Sequence, residues 1–134
     1  MKPERISAKA ARPFWQDASQ HVMGTHPDKL PDGDAFHYWV CGPICGVFHL
    51  SMWPGVWMAH YGVKPEGWGS LATPAKAILQ AFWEDQKPER ITGWTRADNR
   101  AALAFARRIG FVQDGILPLP GGDVVMSGWR LECH

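Results

Sequence analysis

The chain of 134 residues is one ordinary domain with no room for two, and at 46% hydrophobic and 20% charged residues it is too apolar for intrinsic disorder. Fourteen Lys and Arg against thirteen Asp and Glu leave a net charge of +1, which speaks against a general nucleic-acid binder, whose binding face carries a basic excess. No apolar run reaches the roughly 18 residues of a membrane-spanning helix, and MKPERISAKAARPF has charge with no apolar stretch behind it, so it does not read as a secretory signal.

Residues 13–23, PFWQDASQHVM, predict a helix: Pro13 suits a first turn, and Phe14, Ala18 and Val22 share one face. GTHPDKLPDGD then reads as loop, dense in Gly, Pro and Asp. Three strands are predicted next, at about 35–41, 44–52 and 56–63. Gly42-Pro43 and Pro54-Gly55 separate them, so an antiparallel meander is the economical reading. With Pro54 and Gly55 as a two-residue loop, His49 faces His60 across the strands. Ala75, Ile78, Leu79, Phe82 and Trp83 follow a helical stripe, with Thr73 as N-cap, Pro74 as first helical residue and Lys87-Pro88 as the stop. RITGWT is a fourth strand. Following a helix, it can run parallel to the third strand. Asp98 is the expected cap of a second amphipathic helix. There Ala102, Phe105, Ala106 and Ile109 share the inner face, Arg100, Arg107 and Arg108 face solvent, and Gly110 is the stop. Residues 111–117 and 124–131 close the chain as a hairpin around PLPGGD. The whole, residues 1–134, predicts a single α+β domain: a central, mostly antiparallel mixed sheet with one parallel crossover and flanking helices.

Three cysteines, Cys41, Cys45 and Cys133, and no signal segment point to free thiols in a reducing cytoplasm. His37, Cys41, Cys45 and His49 recur every fourth residue and could bind zinc on a helix. In strands broken by Gly-Pro that spacing does not converge ligands, so no metal is expected. Of the eight tryptophans, Trp53, Trp57 and Trp68 flank turns or a cleft and are the candidates for exposure at a pocket or interface.

The stretch ITGWTRADNRAALAFARRIGFVQDGILP resembles the C-terminal half of GNAT-superfamily acyl-CoA N-acyltransferases, with Asn99, Ala102, Gly110 and Phe111 at the family's spacing. YGVKPEGWGSLATPAKAIL is similar to its strand, Gly-rich turn and helix. The resemblance spans about residues 35–130. It implies acetyl-CoA as cofactor, bound by Val63, Gly67, Trp68, Gly69, Ser70 and Asn99. The glycine amides at a helix N-terminus would hold pyrophosphate. Main-chain groups near Val63 would polarise the thioester carbonyl, in a cleft where the third and fourth strands splay after Val63. It implies N-acetylation of a small-molecule or protein amine by direct attack.

Three positions depart from the family pattern. The Lys64–Gly69 turn is compressed, Ala106 stands where many members carry a Tyr acid, and the third strand has no Glu base. His60, then Tyr61, are the nearest substitutes for the base, and His is the better one because its ordinary pKa is near neutrality. The compact form is also similar to small GNAT-like proteins of bacteriophages. That implies an alternative, a catalytically silent structural or binding protein of a phage-like particle, partnered by a second copy or by particle proteins. The corresponding locations are a bacterial cytoplasm or a virion.

Overall fold

The computed structural model describes residues 2–15, 29–64 and 71–130. Its elements are β1 (Glu4–Ile6), α1 (Ala8–Ala11), a 3₁₀ turn (Arg12–Trp15), β2 (Phe36–Cys41), β3 (Ile44–Leu50), β4 (Val56–Val63), α2 (Ala72–Gln86), β5 (Arg90–Arg96), α3 (Arg100–Arg108), β6 (Val112–Leu117) and β7 (Val124–Trp129). They build one seven-stranded sheet in the order β1-β2-β3-β4-β5-β7-β6. The β4–β5 pair is parallel and all others are antiparallel. The predicted mixed sheet with one crossover is therefore the observed one. No helix of the described residues is long and apolar enough to cross a membrane.

Strand alternation assigns the two faces. Trp39, Phe48, Trp57 and Ile91 point to one side, where α2 covers them with Ala75, Ile78, Leu79 and Phe82. Phe48 stacks on Phe82 with centroids 4.0 Å apart. Tyr38, Cys45 and Val47 point to the other side, under Ala8, Ala11, Phe14 and Trp15. Gly62 is needed there: a Cβ would lie 2.5 Å from the Trp15 ring and 2.8 Å from the Phe14 carbonyl oxygen. His37 and Cys41 belong to the α2 face, Cys45 and His49 to the other, so these four do not meet. No cluster of three metal-ligating residues occurs among the described residues.

Several sequence expectations are corrected. The helix over 13–23 is a 3₁₀ turn as far as Trp15, and residues 16–23 lie outside the described residues. β1 has no sequence signal, being three residues long. Helix α2 starts at Ala72, with Leu71 at the cap position and no side-chain cap, so Thr73 is not the cap. Pro74 sits harmlessly in the first turn, where N–H groups have no helical acceptor. Asn99, not Asp98, caps α3, its Oδ1 accepting from Ala102 N at 3.1 Å. Asp98 instead takes a fork of two hydrogen bonds from Arg96, at 3.1 and 3.0 Å. Trp57 is buried, because its strand position faces Phe82 and His37. The β3–β4 connection is longer than a two-residue loop: Ser51 N bonds Val56 O, and His49 lies opposite Met58 rather than His60.

Candidate active site

Residues of β4 and β5 pair at Val56↔Arg90, Trp57↔Ile91 and Met58↔Thr92, and there the pairing stops. The splay thus opens after Met58 rather than after Val63. Each strand follows its other neighbour: β4 stays with β3 as far as Val63↔Ile44, and β5 stays with β7 as far as Arg96↔Val124. Ser51 N donates to Val56 O and Lys64 N to Pro43 O, so even-numbered β4 residues turn their main-chain groups toward β3. The odd-numbered Ala59, Tyr61 and Val63 turn theirs toward β5: the Ala59 N–H still belongs to the last bridge, to the Thr92 carbonyl, and from the Ala59 carbonyl onward they face the gap. A row of strand N–H and C=O groups, unpaired by any described strand, lines a cleft of about 730 Å³.

Helix α3 forms one wall. Its inner face, Ala102, Phe105 and Ala106, is only half-buried, because that face borders the cleft rather than packed core. This explains how a helix with so clear an apolar stripe contains no fully buried residue. Asn99 lies at the rim. With Oδ1 engaged as the cap, its side-chain NH₂ is the group left to donate into the cleft. Leu71 and Ala72 bring the start of α2 to the same cleft. The N–H groups of Ala72 and Thr73 have no intrahelical acceptor, and no side chain caps them. Gly67, Trp68, Gly69 and Ser70 lie outside the described residues.

The cleft passes through the sheet. Tyr61 and Phe105, packed edge to face at 6.0 Å, stand on the helix side. His60 and the exposed Trp94 stand at the other mouth. Tyr61 donates its hydroxyl to Ala75 O at 3.3 Å, and burial raises its pKa, so it is a neutral phenol supporting the wall. His60 is a neutral imidazole: burial, and secondarily the neighbouring His49, push its pKa down to about 4. Its Nε2 lies 3.1 Å from Nε2 of His49. The longer loop shifts the register by an even number of residues. Both rings therefore keep the same face and meet diagonally rather than directly.

Sequence reasoning identified His60, Tyr61, Val63 and Asn99, and all four line this one cleft. It missed Trp94, Leu71, Ala72 and the wall residues Ala102 and Phe105 as cleft residues. The available signal was the α3 stripe itself, read as core although its partner is a splayed strand. For Trp94 it was a large ring in register with His60 beyond Thr92.

No family model and no curated protein sequence matches the chain. Solved structures do. A GNAT-family acetyltransferase from Bacillus anthracis superimposes with a TM-score of 0.72 at 13% identity, covering 98% of this chain and 96% of that one. A spermidine N-acetyltransferase chimera from Vibrio cholerae and hSSAT gives 0.73 at 12%, covering 96% and 95%. The aminoglycoside acetyltransferase AAC(6')-Ib in complex with coenzyme A gives 0.71 at 10%, covering 98% and 95%. The chain has the GNAT acetyltransferase fold over essentially its whole length.

Proposed function

We propose that the chain is an acetyl-CoA-dependent N-acetyltransferase acting on a primary amine. The observation that carries this is the splayed β4–β5 cleft, with the main-chain groups of Tyr61 and Val63 turned into it. The residues present fit the cofactor. A chain-like pantetheine arm needs a row of strand donors and acceptors, and a pyrophosphate needs free amides at a helix start, here Ala72 and Thr73. Arg108 at the cleft rim adds positive charge, whereas Arg96 there is neutralised by Asp98. Gly67, Trp68, Gly69 and Ser70, just before α2, are the remaining expected phosphate contacts. When bound, acetyl-CoA supplies a thioester whose carbonyl carbon the amine attacks, the C–N bond forming as the C–S bond breaks.

The chain's own contribution is positional and electrostatic. A strand N–H of β4 donates to the carbonyl oxygen as negative charge develops there. Asn99 Nδ2 donates into the cleft from its fixed cap geometry. His60, at the opposite mouth, takes the proton that the amine must lose. Among the solved structures of this fold are a spermidine N-acetyltransferase and an aminoglycoside acetyltransferase in complex with paromomycin and acetyl-CoA, which supports a small-molecule amine as acceptor. A second reading, a catalytically silent binding protein of this fold, is favoured by one observation: the cleft wall carries Ala106 where a tyrosine acid would stand.

Turnover separates the two. Incubated with acetyl-CoA and a panel of primary amines (spermidine, benzylamine, kanamycin, a lysine peptide), the protein should release free CoA thiol in an amine-dependent way. Thiol release from none of them, by protein that binds acetyl-CoA, would support the silent reading instead.

A further inference from the structure

The two rings at the substrate mouth have a defined tautomeric order. His49 and His60 lie edge to edge and nearly coplanar: the ring planes differ by 7°, the centroids are 5.2 Å apart, and Nε2 meets Nε2 at 3.1 Å. Between two imidazoles this is an N–H···N hydrogen bond, so one nitrogen donates and the other accepts. His49 Nδ1 faces the Leu50 carbonyl oxygen at 3.4 Å and can only donate to it. In the neutral ring its Nε2 is then a lone pair. His60 must therefore donate from Nε2, which leaves its lone pair on Nδ1. His60 lines the cleft, and Nδ1 has no hydrogen bond among the described residues.

We propose that His49 and His60 form a proton relay leading from the cleft to solvent. The inference rests on the acetyltransferase reading, and it makes His49 a positioning residue that acts through His60. An amine N–H bond breaks as an N–H bond forms at His60 Nδ1. The Nε2–H bond of His60 breaks as one forms at His49 Nε2. His60 ends neutral, and the positive charge rests on His49, half-buried at the sheet surface and in reach of water. His49 then gives its Nδ1–H to water and is neutral again. The pair returns to its starting tautomer when water returns a proton to His49 Nδ1, the shared proton moves back to His60 Nε2, and His60 Nδ1–H passes to the leaving thiolate.

The arrangement answers a difficulty of the site. His60 is in its basic form at neutral pH, but its buried position holds a positive charge poorly. A base of that kind works if the proton does not stay on it. Neighbouring groups supply no competing charge. Phe36 of β2 packs on His49 at 5.8 Å, Met58 of β4 lies opposite it, and Thr92 and Trp94 of β5 are uncharged. Tyr38, Cys45 and Lys64 share the face further along. The Tyr38 hydroxyl donates to Pro31 O, and the Lys64 ammonium sits over the Phe14 ring. Of the described residues, His49 is the titratable group that bears on His60.

Imidazole nitrogen NMR of the ¹⁵N-labelled protein tests the pair without requiring turnover. At pH 7, His60 should show a protonated Nε2 and a bare Nδ1, with His49 the reverse. A bare Nε2 on His60, or a protonated Nε2 on His49, overturns the relay. His49→Gln keeps an acceptor for His60 Nε2–H but cannot take its proton. In the thiol-release assay it should lower kcat by roughly 10- to 100-fold, part of the usual general-base contribution, and alter the pH profile. Acetyl-CoA affinity and Tm should not change. A wild-type kcat and pH profile in His49→Gln also overturns the relay. Failure of every amine with the wild type counts against the acetyltransferase reading, and the tautomers then decide the pair on their own.

Discussion

His60→Ala should lower kcat/KM by about 10²–10⁴-fold, the usual worth of a general base, with acetyl-CoA affinity unchanged. The ring stands at one mouth of the cleft and Val63 lies three positions further along the strand, about 10 Å by extended-strand geometry. That separation suits a base that reaches the incoming amine, directly or through one water, without contacting the thioester. Its removal should therefore leave calorimetric binding of acetyl-CoA intact and should abolish the basic-form requirement in the pH–rate profile. Full activity in a folded His60→Ala protein would demote the residue to a structural one.

The same ring predicts a pH-dependent stability. The pKa of His60 is lowered to about 4 in the folded chain, against 6.5 in the unfolded one, by burial and then by His49. Above pH 6.5 the ring is neutral in both states and costs nothing. As pH falls through 6.5, the unfolded chain takes up a proton that the folded chain refuses, so unfolding gains. At about 1.4 kcal/mol per pH unit, the loss is on the order of 3 kcal/mol and is complete near pH 4. His37 acts with the same sign: burial lowers its pKa, and its Nε2–H donates to Asp34 O while Nδ1 is buried without a partner. Urea denaturation between pH 7.5 and 4 should show this decline, and His60→Gln should remove much of it. A wild type equally stable at pH 7 and pH 4.5 contradicts the burial of a neutral His60.

Much of this site was legible in the residues. The alternation in 35–63, the Ala-rich stripe of 99–109 and the intervening 72–86 helix fix a meander and a parallel crossover, and the observed pairing of β4 with β5 follows from them. What escaped was decided by contacts that local patterns do not carry. The His49–His60 pairing depends on turn length, and the turn spans residues 52–55 rather than Pro54-Gly55 alone. The parity survived, so the histidines still met. The splay point at Met58 is set by which neighbour each strand keeps, a property of the whole sheet. Asp98 looked like a cap because aspartate usually serves as one. Arg96, two residues before it, claims the carboxylate, and Asn99 closes the helix instead. Trp57 flanks a turn in sequence but takes the parity that faces Phe82, while Trp94, in the middle of a strand, stays exposed at the cleft.

Calorimetric titration of the protein with acetyl-CoA and with CoA tests the account most directly, run in parallel on Ala102→Phe, whose added ring projects from the α3 wall into the cleft. The wild type should bind both ligands at micromolar concentration. Ala102→Phe should lose that binding while unfolding at the wild-type temperature. Absence of binding to the folded wild type, or undiminished binding to Ala102→Phe, would contradict the assignment of the β4–β5 cleft as the acetyl-CoA site.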